Sequence, residues 1–394
     1  MSLVTFNIDD PRFSTEKYEY IEELRSQSFY GMSPDGVVFF NQEDAMHVMR
    51  CVDFRFSFFQ ITPESSAYLA ESVEHELLNK HGDDHHRLQR LVLRALRDQI
   101  VEGFQDEVRQ IVSDLIDAMP DDGVVDFCTH FAERLPARVL GPMLDIPYED
   151  IPEFNRWIQI GGRKVDALRS GDGINEVEDA NRNMHDYLRA LLRERRTNLG
   201  SDVFSELIAA EIDGDRLSEI ELVCLAGELA SAGVDTTRSQ LPLILDTLLS
   251  HPSEFLRLQN DPSLAANAVE EGMRFAPLPW ALPHAAVRDH EYKGIHFREG
   301  DLAMVLVPAA NRDPGVVSEP HQFDLQRKRV RHFSFGYGAH YCTGAQLARM
   351  EMVIAIEELV KRMATIELIE APKRDPFTKG SAPTQLKIRV KKRL

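Results

Sequence analysis

Phe335-Gly-Tyr-Gly-Ala-His-Tyr-Cys-Thr-Gly344, followed by Ala345-Gln-Leu-Ala-Arg349, is the most specific stretch of the chain. Its three glycines let the backbone fold tightly around one sulfur, that of Cys342, so that amides can point at it. A helical pattern starts after Gly344 and continues to about Met363, which puts the positive end of a helix near the same sulfur. Both effects favour a thiolate, the form of cysteine that binds metal. A lone cysteine is ordinarily a small buried hydrophobe. Here Phe-x-x-Gly-x-x-x-Cys-x-Gly fixes four positions at set spacing, with a helix directly behind them. One thiolate without His or Cys partners at zinc spacing cannot close a tetrahedral site. It can be the single protein ligand of a haem iron.

Upstream, Ser218-Glu-Ile-Glu221 reads as a capping box opening a helix that runs to about Ser250, where His251-Pro252 stops it. Gly233 and Pro242 inside it predict a distortion. Midway lies Ala232-Gly-Val-Asp-Thr-Thr237. Gly233 removes side-chain bulk beside the helix, Thr236 can bond back to a carbonyl and open the helix ladder, and Asp235 offers a titratable proton. A further helix follows Asp261-Pro262 and carries Glu271-Gly-Met-Arg274, whose charged ends share a face at i, i+3.

Outside these helices the texture changes. Val287 to Val307 reads as a small antiparallel sheet, with Gly294 and Glu299-Gly300 as turns. Leu386, Ile388 and Val390 alternate with Lys387, Arg389 and Lys391, which reads as a strand with one wet face at a sheet edge. The region from Ile151 to Asp215 is polar and less regular. Helices with a minor β portion and no strand–helix alternation argue against a doubly wound nucleotide-binding fold.

The chain has 394 residues, with 45 Lys+Arg against 64 Asp+Glu for a net charge of −19. Its 43% hydrophobic and 28% charged residues exclude disordered, collagenous and disulfide-scaffold classes. The acidic excess argues against a nucleic-acid partner. Four cysteines without a C-x-x-C pair suit a reducing cytoplasm. No apolar run reaches 18 residues and no secretory signal opens the chain, so a cytoplasmic location without membrane insertion is expected.

Together these motifs resemble the cytochrome P-450 family, in its soluble bacterial class, over about residues 80 to 394. The resemblance implies a mainly α fold with a minor antiparallel β portion, a triangular, α-rich single domain around haem. That domain spans residues 1–394, with its α-rich core at about 80–275 and 343–365 and its β-rich portion at about 283–330 and 365–394. It implies haem b (iron protoporphyrin IX), with Cys342 as the axial ligand, Phe335 beside the sulfur, and Gly336 and Gly344 in the cofactor loop. Ala232 and Gly233 then border the oxygen side, and Asp235 with Thr236 form the acid–alcohol pair. Glu271 and Arg274 join Arg327, from Phe323-Asp-Leu-Gln-Arg327, in a buried folding network.

For the haem propionates the resemblance points to His85, His284, His332 and His340. The family's His-x-x-x-Arg grip becomes His85 with Gln89, an alternative register pairs His86 with Arg90, and a further arginine is replaced by His284. Read without the resemblance, His81, His85 and His86 with two aspartates suggest a metal site. Imidazoles in place of arginines predict a haem environment sensitive to pH between about 5 and 8.

Arg87, Arg90, Arg94 and Arg97 are spaced 3, 4 and 3, one stripe of a helix opposite Leu88, Leu91, Val92, Ala95 and Leu96. In the family this helix borders the cysteine side of the haem, so the stripe, with Arg349, is the expected docking patch for an acidic ferredoxin.

Three functions are compatible with these residues. The first is a monomeric monooxygenase that takes electrons from a ferredoxin and its reductase and inserts one atom of O2 into a lipophilic small molecule. The second is a peroxide-driven or rearranging haem-thiolate enzyme, against which the Asp235-Thr236 pair counts. The third is a non-catalytic haem gas-binding protein. Pocket segments are expected at about 57–80, 151–186 and 278–282. Phe54, Phe56, Phe58, Phe59, Trp157 and Trp280 lean towards a lipophilic or aromatic ligand, and Arg163 and Lys164 could meet a carboxylate, though an exposed loop charge is the commoner role.

Overall fold

Ser218 starts the longest helix among the described residues: its amide donates to the Glu221 carboxylate at 2.8 Å, and its hydroxyl accepts from the Glu221 amide. The helix, Glu219–Leu249, holds 31 residues and is about 46 Å long. It passes through Gly233 and Pro242 without a break. The predicted distortion does not interrupt it because Leu241, Leu243, Ile244 and Leu245 are buried around the proline, and packing outweighs the missing amide. The structure is a computed structural model describing residues 4–57, 65–100, 103–164, 167, 171–200, 203–209, 211–212, 215–328, 330–374 and 382–393.

The helices that position the site are α1 (Gln42–Arg50), α2 (Gly82–Ile100), α3 (Ile151–Gly161), α4 (Ile174–Arg195), α5 (Glu219–Leu249), α6 (Ala265–Phe275) and α7 (Ala345–Arg362). α5 packs against α3, α4, α6 and α7. The region from 151 to 215, expected to be less regular, instead contains three helices among the described residues: α3, α4 and a short one at Val203–Ala209. Val177, Ala180, Met184, Leu188 and Leu191 repeat every three or four residues along α4, an apolar stripe diluted by the many charges between them.

The main strands of the β portion are β1 (Tyr30–Ser33), β2 (Gly36–Phe39), β3 (Phe54–Phe56), β4 (Asp122–Asp126), β5 (Ala281–Ala286), β6 (His290–Tyr292), β7 (Ile295–Phe297), β8 (Leu302–Leu306), β9 (Met363–Leu368) and β10 (Lys387–Lys392), beside two short two-stranded pairs. The main sheet runs β1-β2-β8-β5-β3, with β2 and β8 parallel and the other pairs antiparallel. It is therefore mixed rather than purely antiparallel, and it draws three strands from residues 30–56. Strands of three or four residues show too little alternation to be read from sequence. β6 and β7 form a hairpin turning at Lys293 and Gly294, with φ of 49° and 80°.

β10 lies between β4 and β9, at the centre of its sheet and not at an edge. Alternation reports one wet face, which a central strand of a one-sided sheet also has. Leu386, Ile388 and Val390 join the same apolar core as α5 and α7. No helix among the described residues is long and apolar enough to cross a membrane.

Candidate active site: the cysteine loop and its helix

The loop before α7 is shaped by two of its glycines. Gly336 and Gly338 adopt φ of 70° and 74°, and a side chain on Gly338 would overlap the Met49 carbonyl at the end of α1. The Cys342 amide donates to the Phe335 carbonyl at 2.9 Å, closing the loop. Gly344 has φ −86°, so it contributes no special backbone; its amide is directed at the sulfur from the start of α7. Cys342 is exposed at the surface of this loop, whereas Cys128 and Cys224 are buried. Desolvation by the protein on its inner side nevertheless pushes the free thiol up, opposed by the Gly344 amide and the Arg349 guanidinium. The expected preference for thiolate is thus reversed for the bare thiol. A cation on the sulfur restores it, because a coordinating thiol is deprotonated outright.

On α5, Ala232 and Thr236 are exposed although Ala230, Val234 and Thr237 around them are buried. A side chain on Gly233 would meet nothing within 4 Å. The Thr236 hydroxyl donates to the Ala232 carbonyl at 2.7 Å, yet the helix ladder stays intact. Asp235 accepts from Arg238 Nε at 2.8 Å, and the approach of its other oxygen leaves no room for a side chain on Gly162. Burial pushes the Asp235 carboxyl up and Arg238 opposes it, with the net direction upward. Neither Arg238 nor Gly162 was evident from sequence, since one is an ordinary i, i+3 neighbour and the other comes from the end of α3.

Four imidazoles gather beside the loop, with His81 5.7 Å from His340 between ring centres and His85 and His284 also close to it. His85 is 2% exposed, and its ring centre lies 4.2 Å from that of His340, while His86 points out. Phe56 touches both His340 and His284, at 5.4 and 5.5 Å between ring centres. Gln89 donates to the Ala339 carbonyl at 2.8 Å, so it braces the loop. Burial pushes His85 and His284 down to about 4 and His340 to about 3, with neighbouring imidazoles adding to the effect on His85 and His340. These rings titrate below the expected window of 5 to 8. His332 departs from the set: its Nε2 meets Glu270 at 3.3 Å and its ring lies against Phe335.

Glu271, Arg274 and Arg327 come together. Arg274 and Arg327 both donate to the Glu271 carboxylate, and their remaining hydrogens reach the carbonyls of Asn311, Ser318, Glu319, Pro320 and Gln322. The arginine stripe is less uniform than its spacing predicts. Arg87 is drawn onto Glu221 at the start of α5, while Arg90 and Arg94 are exposed. The side chain of Arg97 lies outside the described residues, as do Phe58 and Phe59. Arg349 is paired with Glu270, bonded to Tyr341 at 3.0 Å, and stacked over Phe335 at 4.4 Å.

Several expected pocket residues are packing residues. Trp157 lies against Phe154 and Tyr187, Trp280 against Phe13, and Phe54 against Phe297. Lys164 bonds Glu76 at 3.0 Å, and Arg163 faces Glu176 at 3.6 Å, so both meet carboxylates of the protein itself.

A haem fits these residues. The sulfur is accessible with an amide upon it, α5 offers a side free of bulk, and the buried Nδ1 of His85 has no hydrogen-bond partner, as a carboxylate would supply.

Residues 171–389 match the family model described as Cytochrome P450. The chain is 35% identical over 80% of its length to the polyketide biosynthesis cytochrome P450 PksS of Bacillus subtilis (strain 168), covering 78% of that protein. It is 33% identical over 75% of its length to the vitamin D(3) 25-hydroxylase of Pseudonocardia autotrophica, covering 76% of that protein. The solved structure of P450BioI with an acyl carrier protein bearing hexadec-9Z-enoic acid superposes with a TM-score of 0.90 at 26% identity, over 96% of this chain and 100% of that one. With motif, fold and relatives in agreement, the chain belongs to the cytochrome P450 family and is a P450 monooxygenase.

Proposed function

We propose that this P450 inserts one oxygen atom of O2 into a lipophilic small molecule, with electrons from a ferredoxin and its reductase, in the cytoplasm. The observation that carries the reading is the accessible Cys342 sulfur with the Gly344 amide upon it, on a chain whose α5 presents Ala232 and Thr236 outward. Haem b would supply oxygen binding and activation when held by Cys342. His85, His284 and His340 would hold its propionates as neutral donors, with Phe56 filling the space between rings.

Asp235 holds a proton more readily than an ordinary carboxyl, and Thr236 keeps its oxygen lone pairs outward while its hydrogen is engaged on Ala232. Together they can pass a proton through water to an oxygen beside Gly233. Glu271, Arg274 and Arg327 hold the segment leading to the loop and take no part in chemistry. Arg90 and Arg94 are the exposed arginines of the stripe and would face an acidic donor, with Arg349 committed to the loop itself.

The P450BioI structure contains an acyl carrier protein, which makes a carrier-tethered acyl chain the second reading for the substrate. Binding of the free fatty acid and of its acyl-carrier form, each followed by the iron spin-state change, separates the two. The primary test is the reduced, carbon-monoxide-bound spectrum: a thiolate-type Soret band is expected, absent in Cys342→Ala. Turnover with NADH, ferredoxin and reductase, but not with hydrogen peroxide alone, distinguishes the oxygenase from a peroxide-driven enzyme. An unshifted Soret band in the wild type overturns the reading.

A further inference from the structure

A second group of metal-binding side chains lies apart from the imidazoles beside the cysteine loop. His47 and Cys51 are four residues apart at the end of α1, which places them on one helix face. His290, 243 positions further along, begins β6 and brings its Nε2 to 3.3 Å from the Nε2 of His47. The ligand atoms of all three residues lie within 4.8 Å of one another.

The spacing between the two rings is informative. Zinc–nitrogen bonds of about 2.0–2.1 Å at a tetrahedral angle put two ligand nitrogens about 3.3–3.4 Å apart. The second imidazole nitrogen of His290 is also committed: its Nδ1 contacts the Asp53 carboxylate at 2.8 Å. A carboxylate on Nδ1 fixes that tautomer and leaves Nε2 with a bare lone pair, the usual arrangement behind a metal-bound histidine. His47 is held flat on Tyr292, with ring centres 3.8 Å apart and planes 11° from parallel. Lys293, whose charge would oppose a cation, is itself paired with Asp44 at 2.7 Å and Glu43 at 3.3 Å.

We propose that His47, Cys51 and His290 form a binding site for a zinc-class divalent cation, with Asp53 orienting His290 and the fourth position open to water. Two imidazoles and a thiolate select a borderline-soft ion over magnesium or calcium, which require oxygen ligands. Bound metal ties the end of α1 to the β6–β7 hairpin. The same helix end carries the Met49 carbonyl on which Gly338 of the cysteine loop rests, so the cation braces the platform under that loop.

The test uses the haem-loaded protein, freed of loose metal by a chelator and titrated with Zn2+ against a chromophoric competitor. One zinc per chain is expected, with affinity at least tenfold weaker in Cys51→Ala and in His290→Gln. Asp53→Asn weakens it about 10- to 100-fold. Zinc raises the thermal midpoint of the wild type more than that of Cys51→Ala at the same concentration, while an unaltered carbon-monoxide spectrum shows that each variant is folded. No stoichiometric zinc in the wild type overturns the site. So does zinc bound as tightly by both ligand variants, or calcium bound as tightly as zinc.

Discussion

Arg274 closes a two-pronged fork on Glu271, with donor–acceptor distances of 2.7 and 2.8 Å and only 1% of the arginine exposed. The pair is buried, so each charge depends on the other, and three backbone carbonyls depend on the remaining hydrogens of Arg274. Removing one partner of a buried ion pair costs about 3–5 kcal/mol. Arg274→Met is expected to lose that much in urea unfolding, followed by haem absorbance. Arg274→Lys loses nearly as much, because a single ammonium cannot fork. A loss below about 1 kcal/mol would show that the network does not hold the segment before the cysteine.

Gly338→Ala tests the contact between the cysteine loop and α1. The substitution puts a methyl group onto the Met49 carbonyl at a φ of 74°, so the loop must shift or the helix end must move. Overpacking and left-handed strain together cost about 2–4 kcal/mol. The expected result is a lower thermal midpoint with a smaller thiolate-type Soret fraction. Gly344→Ala, at a position with φ −86° and open space, is expected to be mild in comparison.

The contrast between those two glycines shows what sequence could and could not carry. Spacing around Cys342 pointed to the loop and the following helix, because a tight turn and a helix start demand particular residue types. It could not tell which glycine is needed for conformation and which for an amide. The Glu271–Arg274 pair was legible at i, i+3, but its burial followed only from the family resemblance, since spacing on a helix reports direction and not depth. The stripe from Arg87 to Arg97 looked uniform because helical spacing fixes direction and not partners, and Glu221 takes Arg87 from another helix. His332 and His340 both lie in the segment leading to Cys342, yet Glu270 claims one and His85 packs against the other. The strands at residues 30–56 were missed because their pairing partners are as distant as residues 281–306. His47 and Cys51 carried an i, i+4 signal that meant little without His290.

Proton delivery is tested at Asp235. Asp235→Asn keeps the size and an oxygen that can accept from Arg238 Nε, but removes the titratable proton and the charge facing Arg238. General acid–base groups contribute about 10²–10⁴-fold, and water can substitute in part, so product formation is expected to fall about 10- to 100-fold. Thr236→Ala removes the hydroxyl without disturbing α5 and is expected to raise the hydrogen peroxide released per NADH consumed. Unchanged coupling in both variants would remove the pair from the oxygenation step.

The acid limb of stability is expected to depend on His185, which lies far from the cysteine in sequence and is buried in α4. Its Nδ1 contacts the Tyr68 hydroxyl at 2.8 Å, and it is 3% exposed. Burial, reinforced by Lys164 and Arg189 and opposed by Asp186, pushes it down to about 4. The unfolded chain takes up this proton near pH 6.5, before the folded one does. Stability from the neutral ring is therefore complete above about pH 6.5 and is lost as pH falls through about 4. The full loss is on the order of 3 kcal/mol. His185→Gln, which is never charged, flattens the stability curve between those limits while leaving other buried imidazoles to titrate. Urea midpoints for the two proteins at pH 7 and pH 4.5 measure it directly: the wild type is expected to fall further than the variant, and parallel falls would place the acid sensitivity elsewhere.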